Sequence, residues 1–151
     1  MSINSDVKEI KSLLLKRTPP EHFGAKDAVL AGLGALVLGL TFIFKGLLFQ
    51  VSISLTPRHV FFIVIATALI LTGEIYWVGY SRVQNKSRRP FLQFWAKRFF
   101  AFYGISIVVS FSLVYLYGLD ILVGSFANAL KVVVAVSFPS AVGTALSDLM
   151  R

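Results

Sequence analysis

The sequence contains no cysteine, which excludes a disulfide, a thiolate nucleophile and a metal site with cysteine ligands. Its two histidines, His22 and His59, both lie at the edges of long apolar segments. No His-Glu-x-x-His or Gly-x-Ser-x-Gly pattern is present, so neither a zinc hydrolase nor a serine hydrolase is indicated. We therefore expect a protein that is not an enzyme and that has no cofactor and no metal site.

Charged residues are also scarce: they make up 15% of the chain, with seven acids against fifteen Lys and Arg. A soluble domain carries about 25% charged residues, whereas this chain is 56% hydrophobic with a mean hydropathy of +0.77. These values predict one membrane domain over residues 1–151. The net charge of +8 could suggest nucleic acid, but basic residues of membrane proteins usually lie near anionic lipid. Membrane lipid is the expected partner, and nucleic acid is not.

Long apolar segments predict the fold class. A helix needs about 20 apolar residues to cross a hydrocarbon core of about 30 Å. Four segments approach or exceed that length, at about 27–49, 58–80, 99–117 and 121–149. The predicted fold is all-α, a polytopic membrane protein with four transmembrane helices.

Residues 2–17 predict an additional, amphipathic helix before the first span. Its apolar side chains recur at helical spacing and share one face: Ile3, Val7, Ile10 and Leu14. A helix lying on the membrane surface and a short coiled-coil seam both fit this pattern. Pro19-Pro20 should end the helix.

The distribution of Lys and Arg predicts the orientation in the cell membrane. Residues 1–26 hold five basic residues and residues 81–98 hold six, whereas the loop predicted at Gln50–Thr56, with its following turn, holds only Arg58. Cytoplasmic loops are enriched in Lys and Arg. Both termini and the central loop are therefore predicted to be cytoplasmic.

The central loop combines basic and aromatic residues. Its basic residues are Arg82, Lys86, Arg88, Arg89, Lys97 and Arg98. Such a mixture resembles a nucleic-acid-binding patch, but an apolar span begins at Phe99. We therefore interpret all six residues as ligands of lipid headgroups.

The first span is rich in small residues, which allow membrane helices to approach closely. Ala28, Gly32, Ala35 and Gly39 recur every three or four residues. Glycine is also simply common in membrane helices. The density of small residues here favours a packed face, and we predict that it supports a homo-oligomer.

Two charges stand inside the predicted spans, and each is expected to face a partner or water. Glu74 lies about 9 Å from the inner end of its span, and Lys131 lies about 15 Å from the outer end of its own. Their depths would then differ by about 6 Å in a core of about 30 Å. This predicts an ion pair within one chain, which could be structural or could belong to a transport pathway.

Other polar residues are predicted to accompany this pair. Asn128 lies near Lys131, and Ser106 and Ser110 belong to a line of hydroxyls on the third span. Such a line can join helices or coat a path for a small ion. Pro139 removes one backbone hydrogen bond and is expected to kink the fourth span.

Two stretches carry a resemblance to a known family: Gly73-Glu74-Ile75-Tyr76-Trp77-Val78-Gly79 and Phe138-Pro139-Ser140-Ala141-Val142-Gly143-Thr144-Ala145. They resemble a family of integral membrane proteins of bacteria and archaea that has only a domain-of-unknown-function label. Many of its members are longer. The resemblance implies no activity, but it implies that Glu74 and residues 139–145 matter.

Two functional hypotheses follow. The first is a small homo-oligomeric ion channel or solute carrier with a polar site inside the membrane. The second is a membrane subunit that transports nothing and binds partners or anionic lipid through its basic loop.

Overall fold

Helices form all the regular structure in the described part of the chain. A computed structural model describes residues 23–80 and 91–149. Its elements are α1 (Ala25–Phe44), α2 (Leu47–Ser54), α3 (Pro57–Glu74), a π-helical segment (Ile75–Gly79), α4 (Phe91–Leu116), α5 (Leu119–Val123) and α6 (Phe126–Leu149). The predicted helix at 2–17 lies outside the described residues.

Four of these helices are long and apolar enough to cross a membrane: α1, α3 with the start of the π-helical segment, α4 and α6. Their outward faces carry large apolar side chains, such as Val37 at 64% exposure and Trp77 at 77%. In water such faces would be costly, whereas in a bilayer they contact lipid. The predicted all-α, four-span architecture is confirmed.

Helix α6 is the centre of the bundle. In its most apolar stretch of 18 residues, 67% of the residues are buried, against 17–28% in the corresponding stretches of the other spans. It contacts every other helix of the described chain. Its buried residues are mostly small, with Ala129, Ala135, Ala141 and Ala145 all at 3% exposure or less. Small side chains on several faces allow neighbours to pack closely around one helix.

The closest contact is the crossing of α1 and α6 at Gly34 and Gly143. A Cβ atom added to Gly34 would lie 2.2 Å from the carbonyl oxygen of Gly143, and the reverse substitution gives the same distance. The two backbones therefore meet directly, which only glycine permits at both positions.

The bundle has two ends, which we name after a residue at each. The Arg98 end contains the start of α1, the end of α3, the start of α4 and the end of α6. The Lys131 end contains α2, α5 and the start of α6.

Glycines with positive φ correct two predicted boundaries. Gly46 (φ +66°) ends the first span at Phe44, not near residue 49, and α2 replaces most of the loop expected at Gln50–Thr56. Gly124 (φ +64°) separates α5 from α6, so the fourth span begins at Phe126 and not at residue 121. A left-handed residue cannot continue an α-helix, although hydropathy alone runs straight through it.

The third span begins at Phe91, within the segment predicted to be a basic loop, and not at residue 99. Phe94, Arg98 and Phe102 are buried and lie four residues apart, so they share the inward face of α4. Because Lys97 and Arg98 lower the hydropathy of this segment, the helical spacing of its buried side chains was not recognised in the sequence.

Candidate intramembrane polar site

Glu74 ends α3 on the face that points into the bundle. Thr67 and Leu71, seven and three residues earlier, are both buried. The Glu74 side chain is half-buried, and its Oε2 atom is buried without a hydrogen-bond partner among the described residues. Such an atom usually has a partner, so an unpartnered carboxylate oxygen in a membrane span suggests a site for a ligand or ion.

The helix changes its hydrogen-bonding pattern directly after Glu74. Residues Ile75–Gly79 form a π-helical segment, a feature that is frequent at functional sites. Gly79 fits closely against α4, because an added Cβ would lie 3.0 Å from the Phe94 ring and 3.3 Å from an Arg98 guanidinium nitrogen. The segment that follows Glu74 is thus packed on Arg98.

Arg98 itself forms an ion pair with Asp148 across the α4–α6 interface. The guanidinium nitrogen donates to Asp148 Oδ2 at 2.5 Å, and its carbon lies 4.5 Å from the centre of the Phe94 ring. Arg98 is only 2% exposed. The prediction that Arg98 binds lipid headgroups is therefore wrong: its inward position on α4 directs it to a carboxylate of the same chain.

The other basic residues of the predicted headgroup set remain predictions. Lys97 is exposed at the start of α4, where a headgroup could reach it. The remaining four lie outside the described residues: Arg82, Lys86, Arg88 and Arg89.

The predicted ion pair between Glu74 and Lys131 is wrong. Among the described residues, the Oε2 atom of Glu74 has no hydrogen-bond partner, and an ion pair joins Arg98 to Asp148. Since α6 begins at Phe126, Lys131 lies about 8 Å along the helix from its first residue, and not the predicted distance of about 15 Å. The depths of Lys131 and Glu74 in a core of about 30 Å then differ by about 13 Å, which is too far for an ion pair. Asn128 and Lys131 are both half-buried and lie three residues apart on α6, so Asn128 is far from Glu74 as well.

Ser106 and Ser110 are fully buried and do not line an open path in the described chain. The Ser110 hydroxyl donates to the Ser106 carbonyl at 2.7 Å, and Ser110 and Ser140 share a hydrogen bond of 3.2 Å between α4 and α6. The hydroxyl of Ser106 donates to the carbonyl of Tyr103, within α4, at 2.8 Å. Ser110 therefore joins two helices, whereas Ser106 bonds within its own helix.

Pro139 is buried within α6, which continues as one helix from Phe126 to Leu149. Proline cannot donate to the carbonyl four residues earlier, so the Ala135 carbonyl lacks its usual helical donor. The neighbouring Ser140 packs against α1, where an added Cβ at Gly39 would lie 2.7 Å from its hydroxyl.

The small residues of α1 divide between two environments. Ala35 is fully buried, and Gly39 packs against Ser140 and Leu113. Gly32 has nothing within 4 Å of an added Cβ. Two of the four residues of the predicted face, Ala35 and Gly39, therefore pack within one chain, whereas Ala28 and Gly32 are half-buried. The main crossing uses Gly34, which the predicted spacing had not included.

Two contacts of the structure were not predicted: the ion pair of Arg98 with Asp148 and the crossing of Gly34 with Gly143. A signal for the first was the four-residue spacing of Phe94, Arg98 and Phe102. A charged residue on the apolar face of a helix is expected to need a partner. For Gly34 no pattern distinguished it from the other small residues of α1.

Chemically, the Arg98 end of the bundle offers one carboxylate oxygen without a hydrogen-bond partner among the described residues, Glu74 Oε2, and the ion pair of Arg98 and Asp148. No cluster of three or more His, Asp or Glu occurs within residues 23–80 and 91–149.

Comparison with known families agrees with this membrane architecture. A family model described as "Putative integral membrane protein (DUF2391)" matches residues 7–150. The chain belongs to this family. The match extends well beyond the two short stretches that carry the resemblance, and it includes α1 and α4 in full. No curated protein and no solved structure matches the chain. The protein is thus a multi-pass integral membrane protein of a family without assigned activity.

Proposed function

We propose that this protein is a small channel or carrier in which Glu74 binds a proton or small cation inside the membrane. The single observation that supports this proposal is the buried, unpartnered Oε2 atom of Glu74. Insertion scales give a cost of about 2.5–3.5 kcal/mol for an acid at the centre of a span. Glu74 lies nearer the end of its span, so its cost is smaller, and a bound cation or proton would offset it.

A small monovalent species suits this carboxylate better than a divalent metal. Calcium takes 6–8 oxygen ligands, whereas Glu74 belongs to no cluster of three or more acidic or histidine side chains in the described chain. The adjacent π-helical segment supports the proposal further, since such segments are frequent at functional sites.

The proposed transporter acts as a homo-oligomer. Within one chain, Ser106 and Ser110 are fully buried between helices, so they offer no water-filled path. A path past Glu74 would then need a second copy. The small-residue face of α1 has free space at Gly32, where nothing lies within 4 Å of an added Cβ. A helix of the second copy would pack against α1 at this position.

Ion flux into liposomes tests this function. Purified protein should move H⁺, K⁺ or Na⁺ faster than protein-free liposomes do, and Glu74→Gln should reduce that flux at least tenfold. Glutamine has nearly the same shape without the charge, so the variant should fold normally, which circular dichroism would check. Asp120→Asn is the matched control, because it removes an acid from α5, outside the four spans.

Two results would contradict the proposal. Unchanged flux in Glu74→Gln would show that this carboxylate does not carry the ion. No flux above that of empty liposomes for any of the three ions would favour the alternative, a non-transporting subunit that binds partners or anionic lipid through its basic loop.

We further propose that the protein lies in the cell membrane with both termini in the cytoplasm, that it is not an enzyme, and that it does not bind nucleic acid. The excess of Lys and Arg in residues 1–26 and 81–98 supports this orientation.

A further inference from the structure

An apolar groove runs along the lipid-facing side of the α1–α6 crossing. Its volume is about 410 Å³. Gly34 and Gly143 form its floor, where neither helix has a side chain to fill the space. The walls are apolar residues of both helices and one serine: Leu30, Leu33, Val37, Leu38, Leu146 and Ser147. Val37 and Leu33 are 64% and 54% exposed, so the groove is open to the bilayer.

A lysine lies at the membrane-surface end of this groove. Lys26 is exposed and precedes Leu30 by four residues, so both are on the same face of α1. Two acids of the described residues lie near it, and both are engaged. Asp27 accepts a hydrogen bond of 2.8 Å from the Gly24 backbone N–H, and Asp148 is paired with Arg98. Lys26 therefore presents a positive charge directly before an apolar groove.

The size of the groove matches a single flexible chain. A cavity of about 150 Å³ holds benzene, so 410 Å³ corresponds on the same scale to on the order of sixteen carbon atoms. The volume of the groove therefore suits one acyl chain.

From these observations we infer that the groove binds one anionic phospholipid, with an acyl chain between α1 and α6 and the phosphate beside Lys26. The surrounding bilayer is as apolar as the groove, so the chain alone gains little by entering it. Selectivity must then come from the charge of the headgroup at Lys26. This inference is independent of any transport by Glu74.

Native mass spectrometry of the purified full chain tests the inference. The protein is titrated with phosphatidylglycerol or with phosphatidylcholine of the same acyl chains. One phosphatidylglycerol should bind per chain, more tightly than phosphatidylcholine. Lys26→Gln should weaken phosphatidylglycerol binding about fivefold, the factor that corresponds to one basic residue near the surface. Val37→Trp should weaken the binding of both lipids, because its side chain would fill the groove.

Two control variants separate the groove from general surface effects. Lys45→Gln removes an exposed charge directly after α1, at the opposite end of the bundle, and Val108→Trp adds the same bulk at a site on α4 that is 64% exposed. Both should bind lipid as the unchanged protein does. Equal binding of the two lipids, or equal effects of Lys26→Gln and Lys45→Gln, would overturn the inference. So would a dimer that Val37→Trp converts into monomers, since a second copy would then occupy the groove.

Discussion

Replacing Gly34 with alanine should separate the two helices on which the bundle depends. The added Cβ would lie 2.2 Å from the Gly143 carbonyl oxygen and 2.9 Å from its carbon. Reaching an ordinary contact of 3.4 Å requires a shift of about 1.2 Å, and backbone cannot rotate away as a side chain can. A gap of about 0.5–1 Å already loses a quarter to a half of a dispersion contact.

The expected destabilisation is about 3 kcal/mol, at the upper end of the usual range for overpacking. For a chain of this size that corresponds to a fall in Tm of about 6–12 °C. Thermal unfolding in detergent, followed by circular dichroism, measures it. Gly143→Ala should behave in the same way, since its Cβ would lie equally close to Gly34.

Gly104→Ala is the matched control on the neighbouring helix α4, away from the small-residue face of α1. Nothing lies within 4 Å of its added Cβ, and alanine favours a helix over glycine by about 1 kcal/mol. The Tm of Gly104→Ala should therefore stay unchanged or rise. If Gly34→Ala and Gly104→Ala unfold at the same temperature, α1 and α6 do not meet at Gly34 and Gly143, and the groove beside them loses its basis.

Two further predictions concern the ion pair and the orientation. Arg98→Met should destabilise the protein by about 3–5 kcal/mol, because it leaves the Asp148 carboxylate without its guanidinium partner, and Asp148→Asn should destabilise it by less. The double variant should lose less stability than the sum of the two single changes, and additive losses would argue against the pair. In cells, a cysteine in place of Ser54 should react with a membrane-impermeant maleimide from outside, and one in place of Lys97 should not. The reverse labelling pattern would invert the proposed topology.

Hydropathy along the chain is enough to predict four spans. Each span needs only a local run of apolar side chains, and such runs are visible in the sequence whatever the helices pack against. The same holds for Glu74: a carboxylate in such a run is unusual wherever its helix lies in the bundle. Family membership agrees with this reading over residues 7–150.

The tertiary structure alone decided which polar residues meet. Lys131 was predicted to reach Glu74 because the fourth span was counted from residue 121. The left-handed turn at Gly124 makes α6 begin at Phe126, so Lys131 lies nearer the start of its helix and too far from Glu74. Arg98 and Asp148, fifty residues apart, pair because α4 begins early enough to direct Arg98 towards the end of α6. Depth and rotation depend on where each helix starts and on which small residues let its neighbour approach. Those quantities are set by contacts between distant segments, which local hydropathy does not contain.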